Sequence, residues 1–201
     1  MDRADQLLDS ALEEFVDVGY ATVGVKEITT HAGVSHGTFY NYFDSKRHLL
    51  TVLVEREMAD FFAMFDQVSA SLPRPCDEQS FRASVRALNE GLLQLMVDHA
   101  EVLSFILIDV PGVDQEALDG HITMFRAAAR RATEMLQAAV DDGIADPELH
   151  VDFAGQAWMS YLLGIGGPVI ADGSDIGEVA TVADVLTVLL LDGLPAVESL
   201  I

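Results

Sequence analysis

The sequence is short of cysteine and of positive charge, and it lacks the signatures of a sheet or a catalytic site. Its single cysteine, Cys76, excludes an internal disulfide and a cysteine-built zinc module. Eleven Lys and Arg stand against thirty-three Asp and Glu, a formal net charge of −22. A field of that sign repels phosphate and opposes indiscriminate nucleic-acid binding. No stretch of strict polar–apolar alternation is long enough for a strand, which leaves an all-α chain. The six histidines are scattered, with neither zinc-finger nor H-E-x-x-H spacing. There is no G-x-S-x-G, and the glycine cluster Gly164, Gly166, Gly167 follows no strand. No metal, no cofactor and no enzymatic activity are expected. The start, Met1-Asp2-Arg3, runs directly into an amphipathic pattern with no secretory signature, so a cytoplasmic protein is expected.

Hydrophobic residues are plentiful, at 50%, and the mean hydropathy is +0.28, so a substantial core is assured. The uncharged stretch 153–171 approaches the length of a membrane span. It contains Gln156, Ser160, four glycines and Pro168, and it has no flanking Lys or Arg, so a helix buried between two copies of the chain is the better reading. The helical period is clear in Leu8, Leu12, Phe15 and Val16, with a stop at Gly19. A short helix is expected over Val25 to His31, a second from Ser35 to about Phe43, then a long one from Ser45 through Phe65 that ends at Pro73 and Pro75. Phe81, Val85, Leu88, Leu92 and Met96 mark another stripe, and Leu118 through Leu136 a further one. The last two helices, about 150–166 and 176–192, are apolar on more than one face, as a subunit interface would be.

The acid excess is uneven. Residues 1–60 hold eleven acids and five bases; residues 61–201 hold twenty-two and six. Within 22–48 three bases meet two acids, beside His31, His36 and His48. Here Val25 to His31 and Ser35 to Phe43, joined by Ala32-Gly33-Val34, have the spacing of a helix-turn-helix. Val25, Ile28, Ala32, Val34, Phe39 and Phe43 can pack on Leu8, Leu12 and Phe15, leaving His36, Thr38, Tyr40, Asn41 and Tyr42 outside. Thr and Asn can hydrogen-bond base edges, and Tyr hydroxyls and Lys46 can reach phosphates. Tyr20, Phe39 and Phe43 read as core, and His31 and His48 as surface.

Residues 11–50 resemble the DNA-binding domain of the TetR family of bacterial regulators. The matched features are A-L-x-x-F from Ala11, Gly19-Tyr20, V-x-x-I from Val25, Ala32-Gly33-Val34, Ser35-x-Gly37-x-Phe39-Tyr40-x-Tyr42-Phe43 and Ser45-Lys46. Val23 and Gly24 stand where the family usually carries Thr or Ser. The resemblance implies a recognition helix at 35–43, with Ser35 at its cap, His36, Thr38 and Asn41 toward bases, and Tyr40, Tyr42 and Lys46 on the backbone. It implies a three-helix helix-turn-helix head, residues 1–46, and a larger helical body, 47–201, for ligand binding and dimerisation. The expected partners are a palindromic double-stranded DNA operator, a small-molecule effector and a second copy held through the two C-terminal helices, with no membrane. Repression relieved by the effector is the expected activity. The alternatives are an activator and a ligand-binding relative that no longer binds DNA. Met96, His99, Phe105, His121, Phe125, Trp158 and Tyr161 fall on helices that surround the cavity in the family, though packing explains each of them as well. His99 and His121 are the stronger candidates, because a histidine on an apolar stripe needs a partner.

Overall fold

The structure is a computed structural model and describes residues 2–193. Among the described residues all regular secondary structure is helical. The chain divides into two compact units: one of the residues up to Ala59 together with Glu101–Ile122, the other of Asp60–Ala100 together with the residues from Thr123 on.

In the first unit α1 spans Arg3–Val18 and buries Leu7, Leu8, Ala11 and Phe15 along one stripe. It ends at Gly19, whose φ of +90° lies where a Cβ is disfavoured. Helix α2 (Val25–His31) packs on α1, and α3 (His36–Tyr40) packs on α2. Helix α4 (Lys46–Glu57) starts at Ser45, whose Oγ accepts the His48 N–H at 3.0 Å, and buries Leu49, Leu50 and Leu53. The long helix expected from Ser45 through Phe65 is interrupted. Met58 closes α4, and α5 (Ala59–Ser71) begins anew, one residue before the chain leaves the first unit. No proline or glycine marks that break; it falls at a buried methionine and follows packing. After the short α7 (Ala100–Ser104) comes a single π-helical turn, Phe105–Asp109, and then a 3₁₀ turn, Val110–Gly112. Phe105 lies against Phe15, centroids 5.8 Å apart.

The second unit is organised by α6 (Glu78–Asp98), α9 (Val151–Asp172) and α10 (Val179–Leu191), which pack together. Helix α8 (Gln115–Asp141) enters this unit at Thr123. Helix α9 continues past Pro168 to Asp172, further than the proline suggests, and stops at Gly173, φ +72°. Gly155 lets α9 approach α8 closely: a Cβ there would lie 2.7 Å from the Thr133 backbone nitrogen. No single helix among the described residues is long and apolar enough to cross a membrane.

One polar network crosses this apolar packing. Trp158 Nε1 donates to Asn89 Oδ1 at 2.7 Å, Asn89 Nδ2 donates to Thr187 Oγ1 at 3.1 Å, and Thr187 Oγ1 donates to the Ala183 carbonyl at 2.7 Å. All three side chains are buried, so α6, α9 and α10 are held in one register by donors that have no water to fall back on. Asn89→Leu orphans the Trp158 N–H and should lower the unfolding free energy by about 2 kcal/mol in urea titration. Combined with Trp158→Phe, which deletes that donor, the loss should be smaller than the two single losses added. Strict additivity would show that the hydrogen bond contributes nothing.

Candidate nucleic-acid interface

The geometry of the helix-turn-helix starts at one residue. Gly33 adopts φ +65° after the last residue of α2 and its cap, Ala32. Its N–H donates to the Thr30 carbonyl (3.2 Å) and the Val34 N–H to the Thr29 carbonyl (3.0 Å), the paired closure of a Schellman stop. Ser35 then caps α3. Its Oγ accepts the Thr38 N–H at 3.1 Å and lies 2.8 Å from Thr38 Oγ1. Helix α3 is thus shorter than the 35–43 expected of a recognition helix; Phe43 turns inward and Ser45 already caps α4. The backbone still curls on through Tyr42 and Phe43, whose N–H groups both reach the Phe39 carbonyl.

The aromatics sort by face. Phe39 and Phe43 are 0% and 3% exposed, whereas Tyr40 and Tyr42 are 53% and 40% exposed. Ser35, His36, Tyr40, Asn41 and Tyr42 are all exposed. The His36 and Tyr40 rings meet edge to face at 5.3 Å. Thr38 is half-buried, its hydroxyl engaged by Ser35.

Lys46 sits differently from the others. Its Nζ donates to the Tyr20 and Val23 carbonyls, both at 2.7 Å, and lies 3.9 Å above the Tyr20 ring. Burial lowers its pKa and raises that of the Tyr20 phenol. The ammonium braces the loop leading into α2, with one N–H remaining. Gly24 caps α2 from its backbone alone, donating to Glu27 Oε2 at 3.0 Å. The other end of α2 is tied to α1, where the Gln6 amide donates to the Ala32 carbonyl at 2.7 Å.

Little positive charge faces outward. Arg47 pairs with Asp114 at 3.0 Å, and Arg56 with Asp9 at 2.8 Å and with Glu57 at 2.6 Å. Lys26 is exposed and makes no ion pair among the described residues.

The seven ligand-lining candidates divide between the units. Phe105 and His121 belong to the first. Phe105 is core, and His121 is half-buried with Nδ1 unpartnered and its pKa lowered by burial. In the second unit Met96 and Trp158 are buried, Phe125 is half-buried, and His99 and Tyr161 are exposed. His99 caps α6. Sequence reasoning missed Asn89, although Val85, Asn89, Leu92 and Met96 share one helical face and a polar residue on that face was the available signal.

The brace at Lys46 is testable by itself. Lys46→Met leaves two carbonyls without their charged donor and should lower the unfolding free energy by about 1–2 kcal/mol, read by urea denaturation. An unchanged midpoint would show that water replaces the ammonium at no cost.

Residues 7–53 match the family described as bacterial regulatory proteins, TetR family. The HTH-type transcriptional repressor KstR2 of Mycolicibacterium smegmatis is 27% identical over 154 residues, which span 75% of this chain and 71% of that repressor. Among solved structures, the fatty acid degradation regulator FadR of Bacillus halodurans superposes with a TM-score of 0.80 at 20% identity, covering 96% of this chain and 97% of its own. FadR of Bacillus subtilis in complex with stearoyl-CoA superposes with a TM-score of 0.79 at 18% identity, over 95% and 99%. Residues 7–53 thus carry the helix-turn-helix of the TetR family of bacterial regulatory proteins, on an all-helical fold shared with solved regulators.

Proposed function

We propose that the protein is a ligand-responsive transcriptional repressor that binds a palindromic operator as a homodimer and leaves it when a small molecule binds. It acts in the cytoplasm and catalyses no reaction. The observation that supports this best is the facing of α3. With Phe39 and Phe43 inward, Ser35, His36, Thr38, Tyr40, Asn41 and Tyr42 form the surface offered to a major groove, and Lys46 keeps one N–H for a phosphate. Residues 1–46 serve as the DNA-binding head and 47–201 as the body for ligand and partner copy. KstR2 is described as a repressor, and a FadR structure holds stearoyl-CoA, which supports repression and an effector with a long acyl chain.

Helices α9 and α10 form the dimer contact in this reading. Phe153 is 74% exposed, and Tyr161, Val185 and Val188 are exposed with it. Two protomers then present their recognition helices to half-sites about 34 Å apart. An effector releases the operator only to the extent that it prefers a dimer whose heads miss that spacing.

The test is selection of duplexes from a random-sequence pool by the full-length chain, followed by mobility shifts. A palindromic consensus is expected. Asn41→Ala should relax preference at particular base pairs by about 1–3 kcal/mol, and Tyr42→Phe should weaken all duplexes alike. Because so few cations face outward, the salt dependence should be shallow, and Lys26→Met should reduce the slope of log K against log salt by about 0.9 if that ammonium meets one phosphate. No enrichment of any duplex at low ionic strength would overturn the reading.

A further inference from the structure

His31, the last residue of α2, lies between two carboxylates of α1. Its Nε2 is 3.0 Å from Glu13 Oε2 and its Nδ1 is 2.9 Å from Glu14 Oε1. A neutral imidazole has one N–H and one lone pair, so whichever tautomer it adopts, one carboxylate oxygen faces a lone pair. Only the imidazolium, with two N–H groups, satisfies both. We propose that His31 is a proton-loaded positioning residue for DNA binding, a clasp that fastens the helix-turn-helix to α1 when its ring is charged and loosens when it is neutral. This rests on the DNA-binding reading given above.

The surroundings favour the charged ring. The hydrogen bond to Glu14 raises the His31 pKa most; burial opposes it, and the charges of Glu13 and Glu14 and the hydrogen bond to Glu13 add to the rise. The carbonyl end of α2 also prefers a cation. From α1, the charged groups at the ring are these two glutamates. From α3, the other helix packed on α2, the titratable groups are His36 and Tyr40, which engage each other. On α2 itself Lys26 and Glu27 lie at the opposite end.

The place of the clasp gives it leverage. His31 immediately precedes Ala32, whose carbonyl Gln6 of α1 also holds, and Ser35, the cap of α3, is four residues on. Helix α1 therefore grips the end of α2 at two points next to the recognition helix, one indifferent to pH and one proton-dependent. A group whose pKa is raised by folding contributes fully below its ordinary value of 6.5, and that contribution fades as pH rises through the raised value. Protonation also removes one unit of negative charge from the head, which favours DNA in the same direction.

Two measurements on the full-length chain decide the matter. The first is a histidine ring-proton NMR titration, with the His31 resonance assigned by its loss in His31→Gln. It should titrate above 6.5 in the parent and move back toward 6.5 in the Glu13→Gln/Glu14→Gln variant. The second is affinity for a duplex enriched from a random pool, measured from pH 8.5 to 6. The parent should tighten by about threefold more than His31→Gln over that range, in keeping with the modest strength of a partly exposed pair. The double glutamine variant should lose the same increment, and the triple variant no more. Because His36 and His48 are present in every variant, only the difference between variants reports on His31. A His31 that titrates at or below 6.5, or a pH dependence of affinity unchanged in His31→Gln, overturns the proposal. If no duplex is enriched, the regulator reading falls and the role in DNA binding falls with it, while the ring titration still decides whether the clasp exists.

Discussion

The exposed face of α3 depends on two phenylalanines. Helix α3 has five residues, far too few to hold helical structure alone in water. It persists because Phe39 and Phe43 are driven into the first unit's core, where Phe39 meets Phe43 at 5.7 Å. Gly33 sets the angle at which α3 arrives, and Ser35 satisfies its first free N–H groups. With those positions fixed, the neighbouring tyrosines have nowhere to go but outward. The exposure of Tyr40 and Tyr42 is thus a by-product of core packing, and the burial that stabilises the motif also sets the face proposed for DNA.

The cations of the first unit serve mainly to hold that unit together. Lys46 braces the loop before α2, and Arg47 ties the start of α4 to Asp114, whose other oxygen accepts the Ala117 N–H in the first turn of α8. Arg56 ties α4 back to Asp9 of α1. Three helices and a loop are joined in this way, which leaves Arg3 and Lys26 as the exposed cations of the unit with no ion pair among the described residues. A strongly acidic protein that binds DNA under these conditions must rely on groove fit and hydrogen bonds more than on counterion release.

What the sequence made legible, and what it hid, divides along the same line. The limits of α2, the glycine turn, the capping serines and the inward–outward order of Phe39, Tyr40, Tyr42 and Phe43 follow from local rules that act within a few residues. The interruption at Met58 does not, since no proline or glycine marks it and Met58 itself is buried. The passage of α9 through Pro168 was hidden for a related reason: a proline signals a stop, and only the surrounding packing sustains the helix beyond it. Lys46 was legible as a cation in a suitable place, but its engagement with two carbonyls more than twenty residues away was not. The Asn89 network was half visible, as a polar residue on an apolar face whose partners lie on helices some seventy and a hundred residues later.

The charge pattern of the second unit bears on the proposed dimer. A chain with a net charge of −22 repels its own copy, so association requires a face from which acids are absent or neutralised. Helix α9 carries Asp152 at its start and Asp172 at its end, with no charged residue between them. Helix α10 carries Asp184, and Asp192 caps it; Arg86 pairs with the first and Arg82 with the second, both from α6. Apolar side chains remain exposed on both helices, at Phe153, Tyr161, Val185 and Val188, and the acids Asp184 and Asp192 there are matched. Attraction between apolar surfaces scales with the area buried, and repulsion falls with the distance between uncompensated charges. Both considerations favour this pair of helices for the proposed contact between copies.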